Sequence, residues 1–218
     1  MTLRKNKYVL TGSTWSAVFS LSTYLSRPKL WRLINGLEEE NNFPHPAKQY
    51  GKDMEPISRG VFINVYQKYF SHWDFITQDF IERGSKALSW DTRFGCSPDG
   101  LIKNMVGGLE EGYELKNPFS KDIPTKLEKE HLGHVMQCIL SMEAFNVRVW
   151  NLFYYRHETK ESSWFRIHRN ERFFKEVLYQ EAVRFINSPD EPKRVPHNFT
   201  DKWSNAIFDN FKIDKIEL

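Results

Sequence analysis

The stretch from Phe94 to Asn117 constrains the fold more than any other part of the chain. It reads as a strand from Phe94 to Ile102 that turns around Pro98-Asp99-Gly100. A loop through Gly107 and Gly108 then leads to a neighbouring strand from Gly112 to Asn117. Alternate side chains of a strand share a face, so Glu114 and Lys116 point one way. Leu115 points the other way into the core, with its carbonyl still able to reach a metal. Asp99, on the adjoining strand or its turn, completes a cluster of two acids and one amine.

Helices and strands follow one another around this pair. A capped helix is predicted over 11–25, with Thr11 or Ser13 as N-cap, and a second over 28–36 between Pro28 and Gly36. Ile57, Val61, Val65 and Tyr69 give helical periodicity to Tyr50–Phe70. Pro56 lacks an N–H there, so the helix either kinks at it or begins near Asp53. Two short strands are predicted within 73–92, and an amphipathic helix over 125–144. Strands at Val147–His157 and Ser163–His168, a helix from Glu171 to Ile186 and a Pro-containing tail complete the reading. The pattern implies an α/β fold with a mixed central sheet flanked by helices, one domain over residues 1–218.

Composition narrows the class. No run of 18 uncharged apolar residues exists, so no membrane span is expected, and the basic start lacks the apolar core of a signal peptide. The expected setting is intracellular and soluble, in the cytoplasm or nucleus of a host cell if the source is viral. Cys96 and Cys138 are too few for a disulfide scaffold or a four-cysteine iron–sulfur cluster, and are read as small buried groups. Residues 1–36 carry Arg4, Lys5, Lys7, Arg27, Lys29 and Arg32 with no acid, a charge of +6 against +3 for the whole chain. Such a segment suits a polyanion, although a solvated basic face is the plainer explanation. Trp15 and Trp31 lie inside it and could stack on an unpaired base, with core packing the more ordinary role for at least one.

Phosphodiester hydrolysis calls for a divalent cation held by one or two carboxylates, and Asp99 and Glu114 supply these. Lys116 can orient or deprotonate water, or offset transition-state charge. Glu55 is a third candidate acid, with Gly51 and Ser58 leaving space on its helix face. Ser188-Pro189-Asp190-Glu191-Pro192-Lys193 repeats the same letters, but Pro192 rules out a strand and the segment reads as a loop.

Five blocks resemble, in order, the lambda exonuclease family: YqaJ-type viral recombinases of the PD-(D/E)xK superfamily, related to herpesvirus alkaline nucleases. They are Leu10-Thr11-Gly12-Ser13, Gly51-Lys52-Asp53-Met54-Glu55-Pro56, Cys96-Ser97-Pro98-Asp99-Gly100-Leu101, Glu114-Leu115-Lys116-Asn117-Pro118-Phe119 and His134-Val135-Met136-Gln137. The resemblance implies a Mg²⁺-dependent exonuclease, with Mn²⁺ as substitute and two ions in the site, degrading one strand of linear double-stranded DNA from its 5′ end. It makes Asp99, Glu114, the Leu115 carbonyl and Glu55 the metal site and gives the nucleophilic water to Lys116. It places Thr11, Ser13, Ser97 and Gln137 at phosphates, and implies a homotrimer working beside a single-strand annealing protein. The family's Arg before the Thr-Gly-Ser block aligns near Asn6, where Lys5 or Lys7 would stand in without the bidentate fork of Arg. That departure leaves open an endonuclease of the same fold acting on RNA or branched DNA. A silent nucleic-acid-binding module is the remaining alternative. His134 is read as structural or solvent-facing.

Overall fold

The computed structural model describes residues 9–39, 46–70, 79–81, 84–103, 109–119, 122–192, 195 and 198–218. Lys5, Lys7, Asn6 and the Gly107-Gly108 loop lie outside these residues. The larger sheet has six strands in the order β2 (Asp79–Ile81), β5 (Gly100–Lys103), β6 (Leu109–Lys116), β7 (Val149–Tyr155), β8 (Ser162–His168) and β9 (Ile213–Ile216). Its pairs are antiparallel except β6–β7, which run parallel. A smaller sheet joins β1 (Leu10–Thr11), β4 (Phe94–Cys96) and β3 (Lys86–Ala87).

Alternation along the strands separates two cores. Phe153 and Tyr155 of β7, Trp164 of β8, and Tyr113 and Leu115 of β6 pack with Phe62 and Tyr66 of α2 (Pro46–Tyr69) on one face. Trp150, Leu152 and Tyr154 of β7, with Phe165 and Ile167 of β8, pack with α3 (Leu132–Phe145) on the other. Helices therefore cover both faces of a mixed sheet, as the sequence predicts. Among the described residues, no helix is long and apolar enough to cross a membrane.

Several expectations need correction. The segment read as a helix over 11–25 is a two-residue strand, then a 3₁₀ turn at Trp15–Phe19 whose five residues are all buried. Tertiary contacts override local propensity there: Leu10 and Thr11 pair with β4, and Trp15 Nε1 donates to the Met136 carbonyl at 2.6 Å. Thr11 and Ser13 cap no helix; Thr11 Oγ1 instead meets Thr14 Oγ1 at 3.0 Å. The helix over 28–36 is present as α1 (Arg27–Ile34), N-capped by Ser26, with Gly36 beyond its end at φ 71°.

The helix around Pro56 does not begin near Asp53: α2 starts at Pro46 and runs through Pro56. Position 56 is exposed, so water can meet the carbonyl that the missing N–H leaves unpaired. The helix predicted over 125–144 starts only at Leu132, after a 3₁₀ turn at Lys129–His131 fixed by a reciprocal cap between Glu128 and His131. It is also buried around most of its circumference, because it lies between the two sheets rather than on a surface.

Two short strands, β2 and β3, do fall within 73–92, but in different sheets. The helical run from Glu171 opens with α4 (Glu171–Phe173) and passes through a π turn at Phe174–Leu178 before α5 (Tyr179–Ile186). The tail is not a mere tail: α6 (Phe199–Asn210) buries Trp203 and Ile207, and β9 extends the large sheet. Both tryptophans of the basic segment are core residues, with Trp31 Nε1 donating to the Ser188 carbonyl at 3.1 Å. Three of that segment's cations are internal ion-pair partners: Arg27 with Glu181, Lys29 with Glu38, and Arg32 with Glu38 and Glu191.

Candidate active site

Position 100 must be glycine, because a Cβ there would sit 2.0 Å from Tyr113 Oη on the paired strand. That close approach places Asp99 just before β5, one step beyond the ladder that pairs Gly100 with Tyr113. Asp99 Oδ2 accepts the backbone N–H of Leu115 at 2.6 Å, which ties the acid to β6. Glu114 and Lys116 project together towards α3, while Leu115 enters the α2 core.

Lys116 Nζ donates to Glu114 Oε1 at 2.6 Å and to Gln137 Oε1 at 3.0 Å. Gln137 Nε2 donates to the same Glu114 oxygen at 2.5 Å, closing a three-residue network. Glu114 Oε2 is buried and without a partner. An orphaned carboxylate oxygen in that position is costly unless something positive or a donor meets it.

The electrostatics follow from crowding two acids in a dry place. Burial first, then the charge of Asp99, pushes Glu114 up to about 8. Asp99 is also raised, again chiefly by burial, with Glu55 adding to the push. For Lys116 burial pulls downward, but the charges of Glu114 and Asp99 outweigh it and the net shift is upward.

Asp99, Glu114, Leu115, Lys116 and Glu55 line a single cavity of about 850 Å³. Glu55 is only half-buried, and its carboxylate pairs with Arg59 one turn on at 2.7 Å. The Gly51 carbonyl of the same helix accepts from Asn117 Nδ2 at 3.4 Å, holding α2 against the end of β6. Among the described residues, no three His, Cys, Asp or Glu side chains are grouped as a metal cage. The donor set is instead two close carboxylates, one with a free buried oxygen, beside a single ammonium. That set fits a hard divalent cation, which keeps much of its water and takes few protein ligands.

Thr11, Ser13, Ser97 and Gln137 are not among the residues that line the cavity. Pairing of β1 with β4 brings the Thr11–Ser13 turn beside Ser97, and Ser13 and Ser97 are exposed. A Cβ on Gly12 would lie 3.1 Å from Gln137 Cγ, so this turn packs directly on the residue that organises Glu114 and Lys116. Sequence reasoning did not assign Arg59 or Tyr154. Arg59 had a signal in its i,i+4 spacing from Glu55. Tyr154 had none, because it reaches the site through the register that sets it beside Lys116. Its buried hydroxyl lies 2.8 Å from His134 Nδ1, which holds His134 on the cavity wall as a structural histidine. Cys96 and Cys138 are free and buried, the Cys96 thiol pushed up to about 12 by burial.

A mixed sheet with helices on both faces, carrying an acid at one strand's start and acid-x-lysine on the next, defines the PD-(D/E)xK nuclease fold. Within that class, the chain belongs to the YqaJ-like viral recombinase domain family, whose model matches residues 2–143. Solved structures with the same fold include two of one exonuclease. An alkaline exonuclease (LHK-Exo) from Laribacter hongkongensis is 19% identical with a TM-score of 0.55, covering 83% of this chain and 87% of that one. LHK-Exo in complex with dAMP gives 19% and 0.55, covering 81% and 85%. No curated protein sequence matches the chain.

Proposed function

We propose that this protein is a Mg²⁺-dependent exonuclease that hydrolyses linear double-stranded DNA from the 5′ end, in viral or phage recombination. The observation that carries the reading is the Asp99–Glu114–Lys116–Gln137 cluster with its unpartnered Glu114 Oε2. Family membership and the exonuclease of the same fold support it. Asp99, Glu114 and the Leu115 carbonyl would hold the ion, and Glu55 would support it through water or take a second. Mn²⁺ should substitute. When bound, the cation offsets phosphate charge and makes hydroxide available near neutral pH.

The chain's own residues do the positioning. Two of the three Lys116 donors are used by Glu114 and Gln137, which leaves one for the attacking water or a phosphate oxygen. Because its shift is upward, Lys116 stays an ammonium at neutral pH. As an ammonium it can orient water and stabilise charge. Gln137 fixes both neighbours, and Asp99 is fixed in turn by the Leu115 amide.

The test compares linear and closed-circular duplex in Mg²⁺, with 5′-phosphate and 5′-hydroxyl ends. End-dependent release of nucleotides is expected, with loss of about 10³-fold in rate for Lys116→Ala. Nicking of circles without digestion from ends would contradict an exonuclease.

A further inference from the structure

Two histidines stand on the wall of the catalytic cavity, and the chemistry above uses neither. His131 closes the 3₁₀ turn at Lys129–His131, and His134 lies three residues on in α3. Both are half-buried, and both pack on the Tyr154 ring, with centroids 6.0 and 5.7 Å from it. Tyr154 is in turn the register partner of Lys116, one strand away at about 4.8 Å.

A neutral imidazole carries one proton on two nitrogens, and what meets one nitrogen decides the state of the other. The backbone N–H of Glu128 donates to His131 Nδ1 at 3.0 Å. An amide N–H can only donate, so that Nδ1 is unprotonated and the proton sits on Nε2. The bond from Tyr154 does more than hold His134 in place. Its hydroxyl is buried, burial pushes it well above the usual tyrosine range, and it therefore keeps its proton. Among the described residues, His134 Nδ1 at 2.8 Å is that hydroxyl's hydrogen-bond partner. Buried polar groups make the bonds open to them, so Tyr154 donates and His134 also carries its proton on Nε2. Both rings thus hold the same nitrogen as an N–H donor. Protonating either Nδ1 would disrupt a bond already made there.

Phosphate oxygens accept such donors strongly, because they are charged. In a cavity lined by Asp99, Glu114 and Glu55, an imidazolium would be drawn to a carboxylate. A neutral N–H adds a contact to the phosphate without that competition. We infer that His131 and His134 are a two-pronged clamp, each giving its Nε2–H to an oxygen of the phosphate group held in the cavity. The rings lend hydrogen bonds and transfer no proton. Tyr154 is a positioning residue that fixes the His134 tautomer, and the Glu128 amide does the same for His131. The inference deepens the proposed function and rests on it for identifying that phosphate as the scissile one.

Nitrogen-15 spectra of the histidine rings in the full chain read the tautomers directly, with signals assigned through His131→Gln and His134→Gln. Glutamine at 131 preserves the reciprocal cap, because a Gln there reaches back to the same amide. Both rings are expected to show an unprotonated Nδ1 and a protonated Nε2, and Tyr154→Phe should mix the tautomers of His134 alone. Thymidine 5′-monophosphate with Mg²⁺, which has no phosphodiester to cut, should then shift both Nε2 signals saturably. His134→Leu should weaken that binding roughly ten-fold, the loss of one hydrogen bond to a charged group, and His134→Gln should recover much of it. On linear duplex, His134→Leu should lower kcat/KM by about 10²-fold. A protonated Nδ1 in either wild-type ring would overturn the proposal. So would Nε2 signals that ignore the nucleotide, or a His134→Leu protein that binds it as tightly as the wild type. Shifted signals in a protein that never cuts DNA would sink the nuclease reading alone, and cutting with unmoved signals would sink this one alone.

Discussion

Glu114 is under two opposed demands: Oε1 accepts from both Lys116 and Gln137, while Oε2 is buried with no partner. Pushed up to about 8 from an ordinary 4.5, it holds a proton in the folded protein that the unfolded chain releases. The folded state therefore binds more protons between these values, and stability falls as pH rises through that window. Thermal melts without metal should show Tm declining from about pH 5 to pH 8, and Glu114→Gln should flatten that slope; an equal slope in both proteins would contradict the assignment. Asp99 shifts the same way and contributes with the same sign. At this scale the site was largely legible, because a period of two forces Glu114 and Lys116 onto one face whatever the rest of the fold does. The contact of Gln137 with both of them was not, since it depends on where α3 lies. The pairing of Glu55 with Arg59 was visible only as a spacing, because two residues one turn apart need not meet.

Gly100 links the residue to its element. A methyl group there would collide with the Tyr113 ring across the β5–β6 ladder. Gly100→Ala should cost about 1–3 kcal/mol in denaturant unfolding, the usual penalty for overpacking. It should also depress activity, because Asp99 is the next residue; a variant as stable and active as the wild type would show that the strands can part without consequence. Elements with strong local signals were readable: α1 between Pro28 and Gly36, and the strands β6, β7 and β8. The 11–25 segment misled because Trp15, Val18 and Phe19 fit a helix pattern equally well, and only pairing with β4 and the bond to Met136 select a strand and a tight turn. In α2, Pro56 looked like a boundary, but an exposed position lets the helix continue around it. The start of α3 was misplaced because the Glu128–His131 cap resembles an early helical turn.

Across the whole molecule, the family match ends at residue 143, yet the large sheet continues through β7, β8 and β9. The last two elements and the link between them bury Trp203, Ile207, Phe211 and Ile216, and β9 covers the edge of β8. At about 1.5–3 kcal/mol per buried side chain, these four alone match the whole stability of an ordinary domain, about 5–15 kcal/mol. Ending the chain before Phe199 should therefore abolish cooperative unfolding; a sharp transition in the shortened protein would mean that these elements are accessory. This was the part least legible in the sequence, because Pro189, Pro192 and Pro196 dominate the local pattern while the packing partners lie in α1, the 3₁₀ turn and β8. The proposed function rests on Asp99 and Glu114 together holding a divalent cation beside Lys116. Calorimetric titration with Mn²⁺ at pH 7, in two buffers of different ionisation heat, tests it most directly. The prediction is a binding event that releases up to about one proton per ion, from Glu114, and that is lost in Asp99→Asn. No binding heat, or binding of equal strength in that variant, would contradict it.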